Sequence, residues 1–213
     1  EEIIISDGDA VDYHCKIKGY GDDCALLSVS FLEEMHELKT RLILLQALPK
    51  GEKMELIIQK AVELGVTEII PLESENCIVQ LKGEKAEKKR KRWQSISEAA
   101  AKQSKRSIIP EVLPVTTWKE AFSTLKDAEM KLLPYENERG VGFTKEVLQQ
   151  AEELGEKAGR KIVLCIGPEG GFSIQEVEEA KKEGFLPISL GKRILRTETA
   201  AIAALSLLMM HLE

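Results

Sequence analysis

From Thr40 to its end the chain alternates short, continuous apolar runs with longer stretches of helical period, and no other feature restricts its fold as much. "RLILLQAL" lacks the polar alternation of a half-exposed strand, and "PKG" ends it. "EKMELIIQKAVELG" follows, with Met54, Ile57, Ile58, Ala61, Val62 and Gly65 on the 3.6-residue period. "VTEIIPLE", "MKLLPYE", "KIVLCIG" and "FLPISLG" repeat the strand pattern. "WKEAFSTLK", "TKEVLQQAEELGEKAG", "SIQEVEEAKKEG" and "RTETAAIAALSLLMMHL" repeat the helical one. In the third of these, Ser173 caps and Glu176 completes a capping box. Strands apolar on both faces need cover on both, and intervening helices supply it. The expected class is α/β with a mostly parallel sheet.

Residues 1–36 break the pattern. "EEIII", "AVDYHCKIKGY" and "CALLSVSFLEE" read as strands, separated by the turn-formers "SDGD" and "GDD". They suggest part of a small β-barrel whose first strands are absent, and divide the chain into a β-rich unit, 1–38, and an α/β unit, 39–213.

The 213 residues are enough to bury a sizeable core, and no apolar run approaches the roughly 20 residues of a membrane span. Cys15, Cys24, Cys77 and Cys165 lie far apart and form no C-x-x-C pair; with three histidines to help, they argue against a metal cluster or disulfide framework. Reduced thiols in a cytoplasmic protein fit best. Net charge is −6, yet residues 82–106 hold ten Lys or Arg against three Glu. That segment reads as one long helix with Trp93, Ile96, Ala100 and Gln103 on one side. Its cations suit either a polyanion or a solvated face.

"IGPEGGFS" takes a strand through a glycine-rich turn directly into a helix. Such a turn lies where open parallel sheets bind ligands, beyond the strand carboxyl ends. It has neither the G-x-G-x-x-G of a dinucleotide site nor the G-K-[ST] of a phosphate loop. Glu169 within it disfavours phosphate. Taken alone, the turn reads better as a tight structural corner than as a ligand site. Some twenty residues on, "LGKRILRTETAA" again ends a strand with glycine and enters a helix. Thr197 as a cap and Glu198 in the first turn serve that helix, but Arg193 and Arg196 are left unexplained.

Together these two segments resemble motifs two and three of the SPOUT class of RNA methyltransferases. More closely, they resemble the family that methylates N-3 of a uridine in bacterial 16S ribosomal RNA. "LPKGEKMELIIQKAVELGV", "RWQSISEAAAKQSKR" and "LPYE" extend the likeness over most of the chain from Thr40. The resemblance implies a carboxyl-terminal trefoil knot, a PUA-like RNA-binding barrel at the start, and S-adenosylmethionine held by three loops. Leu133, Pro134, Ile166, Gly167, Gly171, Leu190, Ile194 and Leu195 would contact the cofactor. Arg196 would stabilise an anion or anchor a phosphate, with Glu198 and Glu169 as base or positioning groups. Lys88, Lys89, Arg90, Arg92, Lys105 and Arg106 would meet RNA, either 16S ribosomal RNA or the small subunit. The last helix is apolar nearly all round, so it is buried on every side, either within the core of one chain or in part by a second copy; the resemblance, to a dimeric family, implies the second. A SPOUT enzyme acting on a ribose 2′-hydroxyl, and a non-catalytic assembly factor, are the alternatives.

Overall fold

The computed structural model describes residues 2–6, 11–34, 37–135 and 141–213. Asp7 to Asp9 of the first expected turn, and Glu136 of "LPYE", lie outside them. Strands β1 (Glu2–Ser6), β2 (Val11–Tyr20) and β3 (Ala25–Glu34) form an antiparallel sheet in the order β1-β2-β3. Beyond it the expected alternation appears as β4 (Arg41–Ala47), α1 (Lys53–Glu63), β5 (Val66–Glu73), α2 (Gly83–Gln103), β6 (Glu111–Val112), β7 (Thr116–Thr117) and α3 (Trp118–Thr124). It continues through β8 (Met130–Pro134), α4 (Val141–Gly155), β9 (Lys161–Ile166), α5 (Ile174–Lys182), β10 (Phe185–Ile188) and α6 (Thr197–Leu212).

The large sheet has the order β10-β8-β9-β4-β5-β6, with β7 also on β5, and every pairing in it is parallel. The central strands are the continuous apolar runs of the sequence, because helices cover both faces: Leu42, Leu44, Leu45, Ile162, Val163 and Leu164 are fully buried. α1 buries Met54, Ile57, Ile58, Ala61 and Val62, as its period predicts. The Ser173–Glu176 capping box is present at α5, and a second one, Thr117 with Glu120, starts α3.

Three local readings need correction. α2 buries Trp93, Ser97, Ala100 and Ala101, while Gln103 is exposed. The apolar seam is therefore rotated toward Ser97, whose hydroxyl donates to the Pro110 carbonyl at 2.7 Å and so tolerates burial. Arg196, not Thr197, occupies the cap position of α6 and makes no side-chain cap bond. Arg106 is no surface cation: its side chain is 8% exposed, and its guanidinium pairs with Glu37 and donates to the Val62 and Val66 carbonyls. A planar fork that closes several bonds at once is suited to such a site. Among the described residues no helix is long and apolar enough to cross a membrane.

Candidate active site

Three connections meet at the carboxyl ends of β8, β9 and β10 and enclose a cleft of about 470 Å³. β8 contributes Pro134 and Tyr135; the turn after β9 contributes Ile166 to Phe172; the segment after β10 contributes Ser189 to Gly191 and Arg193 to Thr197. Pro134, Ile166, Gly167, Gly171, Leu190, Ile194 and Leu195 all line it, as do Arg196 and Glu169. Leu133 does not: it is 1% exposed, packed in the sheet core and paired with Pro187 of β10. Side chains alternate across a strand, so its neighbour Pro134 takes the open side.

The two glycines that shape the turn do so differently. Gly171 has φ +67°, which a side chain would strain. A Cβ on Gly167 would come within 3.3 Å of the Phe172 ring, which closes the cleft floor. From outside, Asn76 Nδ2 donates to the Gly170 and Gly171 carbonyls at 3.3 and 3.0 Å. Glu176 accepts from the Glu75 amide and from Trp118 Nε1, both at 2.8 Å, and from the Ser173 amide. The loop after β5 is thereby fixed against the turn.

The last segment leaves the β10 edge and crosses the ends of β8 and β9 to reach β4. Thr144 Oγ1 pins it at Ser189, donating to its carbonyl and accepting from its amide. At the far end the Thr197 hydroxyl donates to the Gly167 carbonyl and accepts from Gln46 Nε2 of β4. Gln46 is fully buried, and among the described residues its Oε1 has no partner.

Glu169 and Glu198 come together through Lys53, a residue whose neighbours in sequence place it only on a helix surface. Lys53 Nζ, on the first turn of α1, lies 2.8 Å from Glu169 Oε1 and 3.4 Å from Glu198 Oε2. The Lys50 amide also donates to Glu169. Burial pushes the Glu169 carboxyl up, but the Lys53 ammonium and the surrounding amides outweigh it and hold the group below the usual carboxylate range. Lys53 is raised in turn, chiefly by its hydrogen bond to Glu169. A carboxylate so held accepts hydrogen bonds well and takes up a proton poorly. "KGEK" before a helix gives no hint of this, because Glu169 lies 116 positions away and Glu198 further still.

Of the expected RNA cations, Lys88 and Lys105 are exposed, Lys105 in a left-handed conformation just past α2. Arg92 and Lys89 face Glu55, and Arg90 pairs with Glu87. Among the described residues no cluster of His, Cys, Asp or Glu could hold a metal ion.

The family model described as RNA methyltransferase domain matches residues 36–209. A Bacillus subtilis (strain 168) protein named ribosomal RNA small subunit methyltransferase E is 33% identical over 207 residues, spanning 97% of this chain and 80% of that one. A relative of the same name from Mesomycoplasma hyopneumoniae (strain 232) is 39% identical over 171 residues, spanning 80% and 70%. A crystal structure of a ribosomal RNA small subunit methyltransferase E from Neisseria gonorrhoeae, bound to S-adenosyl methionine, superposes with a TM-score of 0.79 at 34% identity, over 97% of this chain and 81% of that one.

Proposed function

Because the chain belongs to the RNA methyltransferase family, and within it to the ribosomal RNA small subunit methyltransferase E group, we propose that it moves a methyl group from S-adenosylmethionine to N-3 of a uridine in 16S ribosomal RNA. The observation that carries this reading is the cleft itself. Its volume of about 470 Å³ lies in the ordinary range for small-molecule sites. Its apolar walls, Ile166, Leu190 and Leu195, suit an adenine face, and its glycine turn offers bare backbone to a ribose. When bound, the cofactor supplies an activated methyl on a sulfonium.

The chain's own residues then orient the attacking nitrogen and exclude water. N-3 of uracil carries a proton and attacks only as that proton leaves. Arg196, at the cleft rim and uncommitted to capping, is placed to stabilise the developing anion or to hold the adjoining phosphate. Glu169 is too firmly ionised for a good base and serves to position the turn. Lys88 and Lys105 contact phosphates, and the target base is read unstacked.

Residues 1–38 are read as a PUA-like RNA-binding unit and 39–213 as a SPOUT methyltransferase unit; the separate antiparallel and parallel sheets support that division. The crossing of the last segment over β8 and β9, pinned by Thr144, supports a trefoil knot. A homodimer, working in the cytoplasm, completes the reading. Its support is the outer side of α6, where Leu207 and Met210 are exposed.

The test is to incubate the protein with isotopically labelled cofactor and small ribosomal subunits lacking the modification, then digest the RNA and identify nucleosides by mass spectrometry. Labelled 3-methyluridine is expected. Label on a ribose 2′-oxygen, or cofactor binding with no label transferred, would overturn the assignment.

A further inference from the structure

The glycine turn and the first turn of α6, which both border the cleft, carry a carboxylate each, and both carboxylates meet one ammonium from a third element. Glu169 belongs to the glycine turn and Glu198 to the first turn of α6. Lys53 Nζ lies 2.8 Å from the first and 3.4 Å from the second. The two carboxylate oxygens are therefore within about 6 Å of each other, close enough to repel strongly without the cation between them. Glu198 Oε2 is buried and, among the described residues, has no hydrogen-bond partner, so that ammonium is its compensation. Glu55 of the same helix does not compete for Lys53, because it turns to Arg92 and Lys89; the cations that line the cleft are Arg193 and Arg196.

Resting on the cofactor reading above, we infer that Lys53 is a positioning residue of the cofactor cleft, its ammonium holding the glycine turn and the start of α6 at the spacing the cofactor requires. It touches neither cofactor nor reacting atoms; it acts through Glu169 and Glu198. Removing the cation while keeping both carboxylates drives the walls apart. Removing the cation and one carboxylate together does not, because Glu169→Gln ends the repulsion.

Calorimetric titration with S-adenosylmethionine on the full chain tests this. Lys53→Met is expected to lose roughly tenfold or more in affinity, the scale of a sub-ångström misplacement. In a methylation assay the loss falls on KM for the cofactor more than on kcat. Adding Glu169→Gln restores most of the affinity. So does lowering the pH from about 7 to about 5, because protonating one of two adjacent carboxylates ends their repulsion. The wild type stays flat over that interval. Lys53→Arg, which keeps the charge, binds within about threefold of wild type.

Lys53→Met binding as the wild type does would overturn the inference. A loss that neither Glu169→Gln nor acid reverses would overturn it too, since the residue would then be merely structural. Should Lys53→Met not fold, Lys53→Arg decides: a tenfold loss there sinks the inference. Failure of the wild type to bind the cofactor is a different result, and it removes the functional reading rather than this one.

Discussion

The Thr197 hydroxyl donates a 2.7 Å hydrogen bond to the Gly167 carbonyl, so the first residue of α6 is fastened to the turn 30 positions before it. The same hydroxyl accepts from Gln46, and thus one oxygen joins β4, the turn after β9 and the last helix. Thr197→Val keeps the shape and removes the donor, leaving the Gly167 carbonyl and the Gln46 amide short of a partner. That should destabilise the fold by about 1–3 kcal/mol. Thermal unfolding checks it, with Thr197→Ser expected to remain near wild type.

Arg196 lines the cleft and makes no side-chain cap bond, which is compatible with the substrate role proposed above. Arg196→Ala should lower turnover by roughly 100-fold or more, as loss of an anion-stabilising donor does. Affinity for the cofactor should change little. Parallel measurement of kcat and of calorimetric affinity separates the two; equal losses in both would remove the proposed role.

What can be read from residues alone follows from the range of the interactions. The central strands and α1 are legible because their burial is written as continuous or periodic apolar positions. β6 and β7, two residues each, have no period to read and are made by the edge of β5. The glycine turn and the Arg196 segment are legible as a site because each is a short motif. The tie between them is not: Thr197 looks like a cap from its neighbours, and only the crossing of the chain brings it to Gly167 and Gln46. Lys53 is hidden for the same reason. Arg106 misleads because a run of cations announces composition, whereas its partner Glu37 lies 69 positions back.

That last contrast yields a prediction on the basic helix. Lys88 and Lys105 are free of the buried pairing that holds Arg106, so replacing each with Gln should weaken RNA binding. The slope of log affinity against log salt should fall by about 1 for each phosphate left without its cation. Arg106→Gln should leave that slope alone. It instead strands Glu37, 9% exposed, and should cost about 3–5 kcal/mol of stability. Salt-dependent binding and denaturant unfolding give opposite rankings for the two kinds of variant.

Acid should act on the wild-type cleft in a defined direction. The Glu169 carboxyl is held below its ordinary value of 4.5, so its bonds to Lys53 and the Lys50 amide are fully present above that pH. They are lost as pH falls through the lowered folded value. Cofactor affinity should therefore be constant from neutral pH to about 5 and decline only in stronger acid. In Glu169→Gln that decline should be smaller, because the Lys53–Glu198 pair alone remains. Titrations across the acid range, with folding followed by circular dichroism, check both.

The outer side of α6 is where the proposed second copy would pack. Leu205 and Leu208 face the core, while Leu207 is 44% and Met210 69% exposed on the side turned away from it. Covering such side chains contributes about 1.5–3 kcal/mol each when burial is complete, and a two-fold partner would cover them twice over. Leu207→Glu with Met210→Glu, on both copies, fills that contact with like charges and leaves the core of one chain untouched. Light scattering should give twice the chain mass for the wild type and the single-chain mass for the double variant. A wild type that remains monomeric at high micromolar concentration would show that this face has no second copy on it.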